Sequence, residues 1–244
     1  MLGSYREALG GNHLSALNLR FKGYTGSGIS GSILILMTYS SSEQPLTSRA
    51  EIRRHIRSLR RQLTPEQQHA FAQAAATRLL DIIHAKQAAK VALYLANDGE
   101  LDPQPLIERL WQQGIHTYLP KLHPFSAGNL VFIHYHANSK MERNQYGIAE
   151  PKLDIRALLP AEQLDIIVTP LVAFDANGNR MGMGGGYYDR TLSQWKQCSK
   201  PLPIGFAHDC QQLAHLPCEH WDVPLPLIVT PSQVFASDII NREP

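Results

Sequence analysis

From residue 90 onward, short apolar runs alternate with helical patterns, and this alternation narrows the fold more than anything else in the chain. KVALYLA at 90–96 reads as a buried strand, 103–113 as a helix and 116–120 as the next strand. Two neighbouring strands joined through a helix run parallel, because a direct return would need only a tight turn. Further strand-like runs follow: LVFIHY at 130–135, DIIVT at 165–169 stopped by Pro170, then 171–174, 203–207 and 225–230. The expected fold class is therefore α/β, a three-layer arrangement with a mostly parallel sheet and helices on both faces. Ligands in such open sheets gather beyond the carboxyl ends of the strands. Asn97-Asp98-Gly99-Glu100 lies at such an end, which marks Glu100 as a candidate.

Upstream, Ile52, Ile56, Leu59 and Leu63 form one apolar stripe of a helix, with Arg49, Arg53, Arg57 and Arg60 on the adjacent stripe. Charge alone favours a solvated basic face for these arginines. No aromatic residue interleaves with them, as stacking on single-stranded nucleic acid would need. Thr64-Pro65-Glu66-Gln67 starts a second, alanine-rich helix to about residue 84, with a capping box from Thr64 to Gln67 and Pro65 at the first helical position. Residues 1–47 differ: five charged residues, seven glycines by position 31 and no sustained period. They read as a disordered or loosely attached extension, dispensable through residue 36, with Met37 as an alternative start. No linker or repeat divides the remainder, so 48–244 reads as one domain.

Composition excludes several classes. A formal net charge of +2 does not mark a nucleic-acid binder. Cys198, Cys210 and Cys218 are odd in number and lack CxxC spacing, so they read as free thiols of a cytoplasmic protein. The apolar run at 33–37 is too short to span a membrane. Asp175-Ala176-Asn177-Gly178-Asn179 superficially suggests a calcium loop, but Arg180 stands where that loop needs glycine, and Asn-Gly marks a turn instead.

The strongest local signal is Arg180-Met181-Gly182-Met183-Gly184-Gly185-Gly186-Tyr187-Tyr188-Asp189-Arg190, with four glycines in eleven residues. Glycine permits positive φ and close backbone approach to a ligand, and successive N–H groups there form concave anion sites. A helix over 187–195 would point its first N–H groups into the loop. Arg180 adds a planar guanidinium suited to phosphate oxygens. No lysine follows the glycines, so this is not a P-loop, and Tyr187 stands where a dinucleotide fingerprint needs glycine. Glycine spacing alone leaves open a ligand-free turn before a helix.

The whole string Arg-x-Gly-x-Gly-x-Gly-Tyr-Tyr-Asp resembles the signature of the 5-formyltetrahydrofolate cyclo-ligase family, over about residues 48–232. The resemblance implies a sugar-phosphate isomerase-like fold and ATP-dependent closure of 5-formyltetrahydrofolate to 5,10-methenyltetrahydrofolate, with release of ADP and phosphate. It implies ATP contacts at Arg49, Arg53, Arg180, Met181, Gly182, Met183, Gly184, Gly185, Gly186, Tyr187 and Tyr188, with Arg180 also catalytic. Folate contacts fall on Leu95, Glu100, Tyr146, Tyr187 and Tyr188, with Leu122 a weaker match. Asp189 is the implied Mg²⁺ ligand. The chain departs from the family at Arg49, where lysine is frequent, and in a glycine loop left neutral by Met183 and Gly185. It also has Pro226 where many members carry a second metal-binding aspartate; Asp222 lies four residues earlier. The expected partners are the folate and ATP, with no nucleic acid or membrane, and the chain is expected to act as a monomer. The alternatives are a non-catalytic nucleotide- or folate-binding paralogue, and an ATP-independent isomerase or acyl-transferase on the same fold.

Overall fold

The structure, a computed structural model, describes residues 48–198 and 200–238. The readings of residues 1–47, including the start at Met37, lie outside the described residues. Two helices open the described chain, α1 (Arg49–Arg61) and α2 (Pro65–Ala85). Ser48 caps α1 through a reciprocal box with Glu51, and Thr64 and Gln67 do the same for α2. The sequence reading named the second box; the first has the same Ser-x-x-Glu spacing, at Ser48 and Glu51.

The main sheet begins with β1 (Lys90–Ala92), α3 (Gln104–Gln112), β2 (His116–Leu122) and β3 (Leu130–Tyr135). A side hairpin, β4 (Met141–Arg143) and β5 (Ala149–Pro151), follows. β6 (Leu158–Leu159) and β7 (Ile166–Thr169) return to the main sheet. A second side hairpin, β8 (Ala173–Phe174) and β9 (Arg180–Met181), leads into the glycine loop and α4 (Tyr187–Thr191). α5 (Trp195–Cys198), β10 (Leu202–Phe206), β11 (Leu227–Val229) and β12 (Val234–Ala236) complete the described chain.

Among the described residues the main sheet holds eight strands in the order β12-β11-β10-β7-β1-β2-β3-β6. β2, β1, β7, β10 and β11 pair in parallel, while β3, β6 and β12 join antiparallel. The sheet is thus mixed, with a parallel centre and antiparallel edges. The edges differ for a simple reason: β2 and β3 are joined by a short loop with no helix, so the chain can only double back.

Strand alternation divides the core between the two faces. Val91, Ile166, Val168, Ile204 and Phe206 pack with α2 and α3. Ala92, Ile167 and Ile228 pack on the opposite side with Phe174, Leu192 and the half-buried Tyr188 and Trp195. The single helix expected over 187–195 is instead two short ones, broken by a turn at 192–194.

A third cluster places the site. Ile52 and Ile56 of α1 are fully buried against Val172, Ala173 and Met181 of the β8–β9 hairpin. Burial of each isoleucine is worth about 1.5–3 kcal/mol, so α1 is held along the hairpin that leads into the glycine loop. The arginines on the neighbouring stripe are not all solvated. Arg60 has no exposed surface, which corrects the reading from charge alone.

Candidate functional site

The β8–β9 turn is built around a buried carboxylate. Asp175 accepts from the backbone N–H groups of Asn177 and Asn179, at 3.0 and 3.2 Å, and from Asn179 Nδ2 at 2.9 Å. Gly178 has φ +82°, and a Cβ there would sit 2.2 Å from the Leu225 carbonyl oxygen. Only glycine fits, and the tight turn delivers Arg180 to a defined place on β9.

Arg180 is 3% exposed and donates to Asp189 Oδ1 at 2.6 Å. Its Nε is buried without a hydrogen-bond partner among the described residues. Burial lowers its pKa from the ordinary arginine value, with Asp189 and Asp222 opposing; it still carries charge at any working pH. Asp189 Oδ1 also accepts from Val223 N–H at 3.1 Å, so both of its contacts use one oxygen.

The loop after Arg180 takes left-handed backbone at Gly184 and Gly186, φ +100° and +66°. Arg53 of α1 donates to the Gly182 carbonyl at 2.8 Å. Arg190 reaches back to the Gly185 carbonyl at 2.6 Å and to Gly128 at 2.7 Å. α4 has five residues, so its dipole contributes less to the loop than a longer helix would.

One side of this loop borders a cavity of about 460 Å³, within the range of small-molecule pockets. Its walls include Leu95, Glu100, Leu122, Tyr146, Arg180, Tyr187 and Tyr188 together with Gly182, Met183, Gly185 and Gly186. Met181, by contrast, turns its side chain into the α1 core cluster. A second, more open cavity of about 940 Å³ lies against Gly184, Gly185, Gly186 and Asp189, and is also bordered by Arg190, Lys196, Trp221 and Asp222. Gly185, Gly186 and Asp189 border both.

Glu100 faces the first cavity with its pKa raised from 4.5 to about 7. Burial is the main cause, and the Arg60 charge opposes it. Burial likewise raises the Tyr188 hydroxyl well above its ordinary value. Tyr146, on the β4–β5 hairpin, is 58% exposed, and its hydroxyl lies 3.0 Å from that of Tyr187. The hairpin is pinned at its base by the buried Lys121, which donates to Glu150 at 2.5 Å and Glu142 at 2.6 Å. Against the downward pull of burial, the two carboxylates raise the Lys121 pKa.

Arg49 stands apart from the first cavity, in a two-pronged pair with Asp222 at 2.5 and 3.1 Å. That bond holds the Arg49 pKa above its ordinary value, against burial. Pro226 is buried and offers no ligand atom, whereas Asp222 borders the second cavity. Sequence spacing gave no role to Asp222 or to the Lys121–Glu150 pair, because each meets its partner from a distant segment. The one available signal was the recurrence of charged residues inside otherwise apolar strands, as at Lys121.

A model of the 5-formyltetrahydrofolate cyclo-ligase family matches residues 45–231. The Escherichia coli 5-formyltetrahydrofolate cyclo-ligase is 57% identical over 180 residues, 74% of this chain and 98% of that protein. The Haemophilus influenzae enzyme of the same name is 50% identical, over 72% of this chain and 94% of its own. Among solved structures, Aquifex aeolicus 5,10-methenyltetrahydrofolate synthetase superposes with a TM-score of 0.65 at 30% identity, covering 77% of this chain and 91% of that one. A glycine loop between two cavities, on a mixed α/β sheet of matching fold, thus sits in a chain that belongs to the 5-formyltetrahydrofolate cyclo-ligase family.

Proposed function

We propose that the two cavities flanking the glycine loop are the folate and nucleotide halves of one cyclo-ligase site. The chain is a 5-formyltetrahydrofolate cyclo-ligase, an enzyme of folate one-carbon metabolism. The observation that carries the arrangement is that Gly185, Gly186 and Asp189 border both cavities. A γ-phosphoryl group over this loop would meet a formyl oxygen held on the other side.

In this reading the formyl oxygen attacks the γ-phosphorus and ADP departs. N10 of the folate then adds to the activated carbon and gives up its proton. Phosphate leaves with the former formyl oxygen, and the methenyl bridge remains. Phosphoryl transfer asks mainly for positioning and charge stabilisation. Arg180 supplies a buried cation at the loop, and Arg53 fixes the loop by holding the Gly182 carbonyl. Arg49 supplies a further cation for the nucleotide, in balance with Asp222. Leu95 and Tyr146 offer flat or apolar surface to the pterin, and the Glu100 carboxylate accepts from its N–H groups.

Among the described residues no group of three or more His, Cys, Asp or Glu could hold a metal ion. Asp189 fits a Mg²⁺ that takes its remaining ligands from phosphate oxygens and water, since Oδ2 makes no hydrogen bond among the described residues. When bound, the ion would neutralise phosphate charge. No helix among the described residues is long and apolar enough to cross a membrane. The free thiols suit a reducing, cytoplasmic setting, and the chain is read as acting as a monomer.

The test is absorbance of the methenyl product from 5-formyltetrahydrofolate, ATP and Mg²⁺. Product is expected only with all three present. Binding of both substrates without turnover would leave a non-catalytic paralogue, and product without ATP would sink the nucleotide half of the site. Tyr146→Phe removes the hydroxyl contact to Tyr187 and keeps the ring. Folate KM is expected to rise about 2–10-fold, the scale of one net hydrogen bond, with ATP KM unchanged. An equal rise in both constants would argue against Tyr146 as a folate contact.

A further inference from the structure

Asn97-Asp98-Gly99-Glu100 is a tight turn closed by Glu100 N–H to the Asn97 carbonyl at 3.1 Å. Its two central residues are both left-handed, Asp98 at φ +52° and Gly99 at +72°. Gly99 takes that conformation freely; for Asp98 it carries a cost. The Glu100 side chain folds back to accept from Asn97 N–H at 3.1 Å.

Three arginines from the last turns of α1 close on the Asp98 carboxylate. Arg57 Nε donates to Oδ2 at 2.5 Å, Arg61 takes Oδ1 with Nε at 2.8 Å and also with Nη2, and Arg60 Nη2 lies 3.4 Å from Oδ2. Arg60 is fully buried, and its Nε and Nη1 have no hydrogen-bond partner among the described residues. A buried guanidinium with idle donors is costly and needs a compensating role. Such a role is at hand: Arg60 packs directly beneath Gly99, 3.4 Å from the place of a Cβ there, and its charge acts on Glu100.

We propose that Asp98 and Arg60 are positioning residues for Glu100: the arginine clamp holds the turn in its left-handed form, and so fixes where the Glu100 carboxylate meets the cavity. This rests on the reading of Glu100 as the folate-contacting carboxylate. One rigid element serves both halves of the site. α1 meets the glycine loop through Arg53 and the Glu100 turn through Arg57, Arg60 and Arg61, across about 12 Å of helix from Arg53 to Arg61 at 1.5 Å per residue.

Charges around Glu100 give the proposal its signature. Arg60 favours the ionised carboxylate, and Asp98 opposes it. Tyr94 and Tyr188 are buried within reach of the Glu100 charge, and neither ionises near neutral pH. His208 is buried beside the Gly99 and Glu100 backbone and is held neutral, its pKa lowered to about 4 mainly by burial and then by Arg60. The two clamp partners therefore push the Glu100 titration in opposite directions.

The experiment measures kcat and KM for 5-formyltetrahydrofolate against pH, at saturating ATP, in Asp98→Asn, Arg60→Met, Arg60→Lys and Glu100→Gln. Asparagine tolerates the left-handed turn but loses the charge, so Asp98→Asn is expected to fold. Its folate KM should rise about 5–10-fold, the scale of one net hydrogen bond, with ATP KM little changed. The acid limb of kcat/KM for folate should move to lower pH in Asp98→Asn and to higher pH in Arg60→Met. Arg60→Lys, which keeps the charge, should restore the limb towards wild type. If Arg60→Met does not fold, the direction of the shift in Asp98→Asn decides. Limbs that stay in place while Glu100→Gln abolishes the limb overturn the positioning role. A limb that survives in Glu100→Gln overturns instead the folate assignment of Glu100.

Discussion

Arg180→Ala is expected to lower kcat by about 10²–10³, the scale for losing one preorganised electrostatic stabiliser, while ATP affinity falls less. During transfer, negative charge shifts between the γ-phosphoryl oxygens, the bridge to ADP and the formyl oxygen. A cation fixed beside that path helps the transition state more than bound ATP. Arg180 suits the task because it is 3% exposed, so water screens it little, and because Asp189 holds its orientation at 2.6 Å. Arg180→Lys keeps the charge but loses the planar fork, so kcat should fall by roughly 10-fold. Removing Arg180 also leaves Asp189 without its ion-pair partner, and some loss of thermal stability should accompany the alanine variant. Kinetics are therefore to be measured well below its Tm, set by circular dichroism. If alanine raises only the KM for ATP and leaves kcat near wild type, Arg180 merely holds nucleotide. The catalytic cation would then lie at Arg53, on the Gly182 carbonyl, or at Arg49.

Glu100→Gln is expected to weaken folate use by about 1–3 kcal/mol, the cost of an unsatisfied buried polar group, with ATP KM nearly unchanged. An amide replaces part of the accepting edge with a donor, which faces the pterin N–H groups wrongly. The raised pKa of about 7 adds a pH dependence. The accepting form is the carboxylate, so folate KM in the wild type should rise as pH falls below about 7 and level off above it. Folate binding near pH 7 should also expel a proton, visible as a binding enthalpy that depends on the buffer's ionisation heat. Glu100→Gln should lose both effects. Stability carries the opposite sign. Burial raises the folded-state value above the unfolded 4.5, so this group's contribution is fully present below pH 4.5 and is lost as pH rises through about 7. Relative to wild type, Glu100→Gln should therefore gain stability in alkaline buffer. Unchanged folate kinetics, with no change in proton release, would remove Glu100 from the folate site.

The parallel centre of the sheet was legible in the sequence, because KVALYLA and DIIVT are apolar except for Lys90, Asp165 and Thr169 at their ends, and a helix follows the first of them. Such strands must be buried on both faces. The edges were less legible. LVFIHY reads as the same kind of run, and its antiparallel pairing comes from the short connection before it. The helix predicted over 187–195 breaks in two, since Leu192 is drawn into the core while Ser193 and Gln194 are exposed. Tertiary burial there outweighs local propensity.

The chain alone determined what the glycine loop can be. Its unusual string carries the family resemblance, and Gly184 and Gly186 hold backbone that other residues avoid. Asn177-Gly178 likewise announced the turn that delivers Arg180. Only the tertiary structure decided what the charges do. Arg49, Arg53, Arg57 and Arg60 form one basic stripe in the sequence, yet they end on Asp222, on the Gly182 carbonyl and, for the last two, on Asp98. Those partners are 38 to 173 residues away in the chain. Periodicity reports which face of a helix is apolar, since that depends on neighbours three and four residues apart. It cannot report which distant carboxylate or carbonyl a long cationic side chain will meet, because that partner is chosen by packing of the whole fold.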